Sequence, residues 1–251
     1  MSGHSKWSTI KRKKGKADAQ KGKIFTKLGR EILVASRACG GNTGDFRLKI
    51  AIDNAKAQNL PNENIQRAIQ KGAGGAEGVV YEELRYEGYA PGGVAVMVDI
   101  LTDNRNRTAG EIRHIFSKNG GNLGETGSVG WMFADKGQLR ISREGLKLSE
   151  DDLMLLSLDV GAEDFETDED GYIVFTAPAD MEQVRQALLD KGISITEAVL
   201  APIPQNTVEI ADAEQARKVV RLMEMLEDHD DSQGVYANFA FADGLDGEDL
   251  G

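Results

Sequence analysis

The sequence predicts an α+β fold, with an N-terminal three-helix bundle followed by two α+β (ferredoxin-like) domains, one inserted in the other. Apolar residues recur at helical spacing up to residue 71, whereas β-branched runs alternate with helical segments after residue 80. Residues 136–205 by themselves predict the order strand, helix, strand, strand, helix, strand, which is the ferredoxin-like order. The predicted parts are residues 1–75, 80–133 with 206–240, 136–205 as the insert, and an acidic tail at 241–251.

Residues 1–75 combine a basic arm with three predicted amphipathic helices. The first helix runs from Lys16 to the Gly40-Gly41 pair, the second covers residues 45–58, and the third opens at Pro61-Asn62 and stops at Gly72. Because each helix is short and has one apolar stripe, the three can bury these stripes only against one another. The segment Gly72-Ala73-Gly74-Gly75 then predicts a hinge or linker.

Strands and helices alternate in the remainder of the chain. The predicted strands are Tyr81–Tyr89, Val94–Leu101, Ser128–Phe133, Gln138–Ser142, Asp164–Thr167, Tyr172–Thr176, Ser194–Ala201 and Gly234–Ala240. The predicted helices are Asp103 or Asn104 to Lys118, Ser149–Val160, Met181–Lys191 and Ala213–Glu227. Since the last helix and strand follow the insert, we expect them to complete the domain that begins at residue 80.

Charge is strongly segregated along the chain. The formal net charge is -11, yet residues 1–71 hold 16 Lys or Arg and 5 Asp or Glu, a net of +11. Residues 72–251 therefore hold 14 basic and 36 acidic residues, a net of −22. Such asymmetry indicates that the N-terminal part contacts a polyanion while the rest keeps the protein soluble.

The basic arm and the outer side of the first helix form the strongest candidate binding surface. Gln20, Lys23, Lys27, Arg30 and Arg37 recur at spacings of three, four and seven, which predicts one cationic stripe. Lysine and arginine bind phosphate oxygens, and Trp7 offers a face on which an unpaired base can stack. The candidate nucleic-acid contacts are Lys6, Trp7, Lys11, Arg12, Lys13, Lys14, Lys16, Lys21, Lys23, Lys27, Arg30 and Arg37.

A second candidate anion contact is predicted at the start of the helix after residue 104. Arg105 and Arg107 stand there, where acidic residues are the usual choice, and helix N-termini bind phosphates. Plain surface charge is the alternative for both. The glycine-rich loop 120–128 follows a helix and has no lysine, so it does not match phosphate-binding loops. A tight turn or a backbone contact with a partner remains open for this loop.

Other chemistries find little support in the sequence. No group of His, Cys and carboxylates has metal-ligand spacing, so we expect no metal and no cofactor. Cys39 is the single cysteine, it lacks a base nearby in sequence, and it fits a reducing, cytoplasmic location. His114 is expected to pack in a helix, and the run Glu227–Asp231 to form a solvated loop. No apolar stretch is long enough to span a bilayer, and no enzyme activity, small-molecule substrate or membrane partner is expected.

Several stretches resemble the YebC family, whose mitochondrial relatives include the translational activator of cytochrome c oxidase. The resemblance is dense over residues 1–133, thin through 136–205, and returns near residue 225. The matching motifs are Gly3-His4-Ser5-Lys6-Trp7, residues 22–28, Arg67-Ala68-Ile69, residues 72–75, Tyr86-Glu87-Gly88-Tyr89, Pro91-Gly92-Gly93, residues 102–108, residues 120–124 and Met225-Leu226-Glu227-Asp228.

The resemblance implies a non-enzymatic protein with a helical bundle and two α+β domains. Members of the family are commonly described as DNA-binding transcriptional regulators, and others as ribosome-associated factors that assist translation of difficult, proline-rich stretches. Two hypotheses therefore stay open: a regulator that binds DNA, and a factor that binds ribosomal or messenger RNA on the ribosome. Because the family's His-Ser-Lys-Trp start falls at residue 4, we expect no organelle presequence.

Overall fold

The computed structural model describes residues 18–74, 80–168, 171–242 and 245. Its helices are α1 (Asp18–Ala38), α2 (Phe46–Ala57), α3 (Asn62–Ala73), α4 (Arg105–Lys118), α5 (Glu150–Asp159), α6 (Met181–Asp190) and α7 (Ala213–Glu227). Its strands are β1 (Glu82–Ala90), β2 (Val94–Thr102), β3 (Asn122–Leu123), β4 (Phe133–Ser142), β5 (Asp164–Thr167), β6 (Gly171–Thr176), β7 (Ile195–Pro204), β8 (Val208–Ile210), β9 (Ser232–Ala237) and β10 (Phe239–Phe241). These elements confirm the predicted α+β fold class.

The elements group into two compact units. The first unit combines the described parts of residues 1–27, 78–134 and 202–251, and the second those of residues 28–77 and 135–201. The first unit contains a four-stranded sheet of order β3-β1-β2-β9 and a short parallel pair of β8 with β10. All neighbouring strands of the larger sheet are antiparallel. Strand β9, which follows α7 in the chain, pairs with β2 of the β1–β2 hairpin.

The core of the first unit lies between its sheet and the helices α4 and α7. The hairpin strand β2 is buried at nearly every position, and Val96 and Val98 contribute to the core. Phe116 of α4 and Leu222 of α7 are fully buried in the same cluster. Burial of these apolar side chains is what fixes the two helices on the sheet.

The second unit contains β4, α5, β5, β6, α6 and β7 in that chain order, so the ferredoxin-like order of elements predicted for this stretch is confirmed, and its strands form a sheet of order β5-β6-β4-β7. Leu139, Val174 and Leu188 belong to its core, and Ile50 of α2 belongs to the same cluster. Polar contacts accompany this packing, because the Asn54 side chain accepts from Ala198 N at 3.0 Å and donates to Ala198 O at 2.8 Å. Helix α2 therefore packs on the ferredoxin-like sheet as well as on α3.

The three N-terminal helices occur close to their predicted positions, with one difference at Gly72. Helix α3 continues to Ala73, and a Cβ at Gly72 would lie 2.5 Å from Leu33 O. Ser36 Oγ donates to Ile69 O at 2.7 Å at the same crossing. Gly72 therefore allows α1 and α3 to approach closely, and the predicted hinge loses its first two residues to a helix.

One predicted strand is wrong. Residues 128–133 were expected to form a strand, but residues 130–132 form a single 3-10 turn and β4 starts at Phe133. The backbone N–H groups of Val129 and Gly130 donate to the carboxylate of Glu87, at 2.8 and 2.7 Å, and so are not available to a sheet. Sequence reasoning also missed two short strands, β3 and β8. The single strand predicted at 234–240 is divided into β9 and β10, and β10 ends at Phe241 in the predicted tail.

Candidate nucleic-acid interface

The predicted cationic surface divides into two parts. One part lies outside the described residues, so the structure gives it no geometry; its members are Lys6, Trp7, Lys11, Arg12, Lys13, Lys14 and Lys16. The other part lies on α1 and consists of Lys21, Lys23, Lys27, Arg30 and Arg37. Among these, Lys21 and Lys23 are exposed, whereas the other three are half-buried.

Two lysines of the predicted stripe bind the C-terminal end of α7. Lys27 Nζ donates to Glu227 O at 2.6 Å, and Lys23 Nζ lies 3.2 Å from both Asp228 O and Asp228 Oδ2. A helix C-terminus has unsatisfied carbonyls and carries partial negative charge, so two ammonium groups are stabilised there. Lys23 and Lys27 of the predicted stripe therefore have partners within the protein, and the Lys23 side chain is 45% exposed.

The two arginines at the start of α4 differ sharply in their surroundings. Arg107 binds three carboxylates, with distances of 2.7 Å to Asp231, 3.0 Å to Asp103 and 4.0 Å to Glu111. Arg105 is exposed and makes no ion pair within the described part of the chain. Its backbone carbonyl accepts from Tyr86 Oη at 3.5 Å. This geometry gives Arg107 a structural role and leaves Arg105 as the more accessible cation.

Asp231 is the buried centre of the network around Arg107. Only 4% of its side chain is exposed, and Oδ2 accepts from Arg107 Nη2 at 2.7 Å, Thr108 Oγ1 at 2.8 Å and Thr102 Oγ1 at 3.1 Å. Burial by itself raises the pKa of Asp231, but the hydrogen bonds from Arg107, Thr108 and Thr102 outweigh it, so the pKa lies below its ordinary value. The motif at residues 102–108 thus attaches α4 to the segment between α7 and β9.

The turn after α7 contains a largely buried and hydrogen-bonded histidine, His229. His229 has a side chain only 11% exposed; its Nδ1 accepts from Asp231 N at 3.2 Å and its Nε2 lies 2.9 Å from Glu111 Oε2. The expectation of a solvated loop over residues 227–231 is therefore wrong for His229 and Asp231. His114, which was expected to pack, is exposed instead, because it lies on the outer side of α4.

The glycine-rich loop encloses a carboxylate of the protein itself. Glu87 is 6% exposed, and its two oxygens accept from the backbone N–H groups of Gly127, Val129 and Gly130 at 2.7–2.8 Å. Burial raises the pKa of Glu87, yet these three hydrogen bonds outweigh burial and lower it. These amides are already satisfied, so the loop is a turn held by Glu87, as the tight-turn alternative proposed.

Trp131 is a surface residue that sequence reasoning did not single out. It follows Gly130 in the 3-10 turn, and 67% of it is exposed. The sequence placed it inside a strand, where alternation gives no reason to expect an exposed indole. Only its position directly after a glycine-rich loop could have drawn attention to it.

Metal, thiol and membrane chemistry gain no support. In the ranges that the structure covers, no cluster of His, Cys, Asp or Glu could hold a metal ion. Cys39 is half-buried, and its Sγ lies 3.5 Å from Asn42 O and 3.7 Å from Ser36 O. Within the same ranges no helix has the length and apolarity needed to cross a bilayer.

Comparison with known proteins identifies the family. Residues 5–75 match the family described as "TACO1/YebC protein N-terminal domain", and residues 81–239 match "TACO1/YebC second and third domain". A "Probable transcriptional regulatory protein" of Desulfitobacterium hafniense is 72% identical over 251 residues, which is 100% of both chains. A protein of the same name from Pelotomaculum thermopropionicum is 58% identical over 97% of this chain and 100% of its own length.

A solved structure agrees with these sequence matches. The crystal structure of the conserved hypothetical protein Aq1575 from Aquifex aeolicus has a TM-score of 0.89 to this chain at 48% identity. The match covers 95% of this chain and 98% of that one. These findings confirm the resemblance drawn from the motifs: the chain belongs to the TACO1/YebC family.

Proposed function

We propose that this protein is a non-enzymatic, nucleic-acid-binding regulator of gene expression, and that it acts as a DNA-binding transcriptional regulator. One observation carries the proposal: the first 30 residues hold ten Lys or Arg and one acid in a protein of net charge -11. A basic segment of this density binds phosphates without reading sequence. Relatives at 72% and 58% identity are named probable transcriptional regulatory proteins, which supports the same assignment.

The internal contacts of α1 indicate which cations do most of the binding. Lys23 and Lys27 hold the beginning of α1 against the end of α7, so part of the hydrogen-bonding capacity of their ammonium groups is already used within the protein. Arg107 is held by three carboxylates in the same way. We therefore assign the main phosphate contacts to the lysines and the arginine that precede α1, with Arg105 as an additional contact.

The test is a binding titration against duplex DNA at several salt concentrations. Replacing Lys11, Arg12, Lys13 and Lys14 together by Ala should weaken binding strongly and leave the fold intact. If each side chain contacts one phosphate, the slope of log K against log salt should become shallower by about 3.6. The matched control replaces three exposed cations of α7, Arg217, Lys218 and Arg221, and should change affinity less than about twofold. Unchanged affinity in the arm variant, or an equal loss in the control, would refute the assignment.

A second candidate function is that of a ribosome-associated or RNA-associated translation factor. Residues 72–251 have a net charge of −22 (14 basic and 36 acidic residues), and such a body is repelled by an extended duplex. An arm that inserts among folded RNA strands leaves that body facing solvent or basic ribosomal proteins. Crosslinking in cells followed by sequencing separates the candidates: recovery of ribosomal RNA favours the second function, and recovery of promoter DNA favours the first.

A further inference from the structure

The outer face of α5 carries leucines that the protein does not bury. Leu155 and Leu158 are 57% and 44% exposed, while Leu153 and Ser157 on the opposite side are buried. A spacing of three residues places the two exposed leucines on one face, about 4.5 Å apart along the helix axis. Exposed leucines side by side add nothing to the core and form a small apolar patch.

Acidic residues surround this patch. Residues 148–168 hold eight Asp or Glu and no Lys, Arg or His. At helical spacing, Asp151 and Asp159 lie on the same face as Leu155 and Leu158. Both are exposed, and neither forms an ion pair with another residue in the described ranges. Their charges are therefore available to a partner.

Helix stability accounts for only some of these charges. Glu150, Asp151 and Asp152 lie in the first turn, where negative charge is favourable, and Ser149 caps the helix by accepting from Asp152 N. Asp159 is in the last turn, where negative charge is unfavourable and where this helix has no basic residue. Neither the position of Asp159 nor the exposure of the leucines helps α5 to fold.

We propose that this face of α5 docks a basic protein segment that presents apolar side chains between its lysines or arginines. Leu155 and Leu158 would contact the apolar side chains, and Asp151 and Asp159 would pair with the flanking cations. Nucleic acids and anionic membranes are repelled by such a face. A second copy of the chain would place like charges opposite each other in a two-fold interface. The inference goes beyond the proposed function, because the cationic arm takes no part in it.

The test measures binding of a labelled helical peptide of leucines and lysines to the full-length protein by fluorescence anisotropy. Two variants remove the two components of the face: Leu155→Ser with Leu158→Ser, and Asp151→Asn with Asp159→Asn. Each should weaken binding about tenfold, and the charge variant should also reduce its salt dependence. The control is Leu200→Ser on β7, a leucine 49% exposed in the same unit, which should change affinity less than about twofold. Circular dichroism checks that each variant is folded, and the charge variant keeps the test decisive if the leucine variant is not.

Two further measurements decide the nature of the occupant. A peptide with serine in place of leucine keeps the charge, so about tenfold weaker binding supports the apolar part of the proposal. Binding of the serine peptide as tight as that of the leucine peptide, or binding by both double variants as tight as by the wild type, would overturn it. Sedimentation of the free protein tests self-association: a dimer that the leucine variant converts to a monomer would assign the face to a second copy and also overturn the proposal.

Discussion

Replacing Asp231 by Asn should destabilise the first unit by about 3 kcal/mol. In the structure its buried Oδ2 accepts from Arg107, Thr108 and Thr102 at 2.7, 2.8 and 3.1 Å. A hydrogen bond to a charged group contributes about 1.5–3 kcal/mol, against about 0.5–1.5 kcal/mol for a neutral one. Asn keeps the volume and an acceptor oxygen but loses the charge, so three bonds each lose about 1 kcal/mol.

The dependence on pH identifies the charge as the cause. The folded-state pKa of Asp231 is lowered, so the charged form stabilises the fold fully above the unfolded pKa of about 3.9. That stabilisation is lost as the pH falls through the still lower folded value. The difference in unfolding free energy between the wild type and Asp231→Asn should therefore be complete at pH 7 and narrow towards pH 3.

Urea unfolding followed by circular dichroism is the appropriate assay, with midpoint and slope recorded at each pH. Glu209→Gln is the control, because Glu209 is an exposed carboxylate of the same unit and its replacement should change stability by less than about 0.5 kcal/mol. Equal losses in the two variants would refute the reasoning. A difference in unfolding free energy between the wild type and Asp231→Asn that is as large at pH 3 as at pH 7 would also refute it. The stabilisation would then not depend on the charge of Asp231.

Three other substitutions test the remaining contacts. Asp228→Asn removes the carboxylate that binds Lys23 at 3.2 Å and should raise affinity for nucleic acid about twofold in a filter-binding titration; a fall would contradict competition between the two partners. Glu87→Gln should accelerate hydrogen exchange of the loop amides that donate to residue 87 about tenfold or more. The wild type loses free energy of unfolding when acid pH protonates Glu87, and the variant should lack this loss. Unchanged protection would show that the carboxylate does not hold the loop. Arg107→Gln should lower the melting temperature by several degrees while Arg105→Gln leaves it unchanged, and equal melting temperatures would remove the distinction drawn between them.

Local patterns predicted most of the fold. The boundaries of α7 (Ala213–Glu227) and β5 (Asp164–Thr167) were predicted without error, because period, caps and flanking turns all lie within a few residues of the element. The prediction failed where a distant residue takes the backbone hydrogen bonds. The segment 128–133 has strand-like composition, but Glu87, which is 42 residues from Val129, accepts hydrogen bonds from the backbone amides of Val129 and Gly130.

The candidate site was predicted less completely, for a related reason. Charge density along the chain identified the basic arm and α1 as the cationic part, and this needs no tertiary information. Which cations have internal partners depends on contacts between residues far apart: Lys23 with Asp228 at a separation of 205, and Arg107 with Asp231 at a separation of 124. The exposed indole of Trp131 and the burial of Asp231 likewise followed from packing.

The sequence by itself determined the order of helices and strands, the segregation of charge and the family. Each of these depends on residues that are close together in the sequence. Only the tertiary structure determined which of the charged side chains form ion pairs and hydrogen bonds within the protein. The reason is physical: a side chain's propensity is local, whereas its burial and its ion pairs depend on which distant segments fold against it.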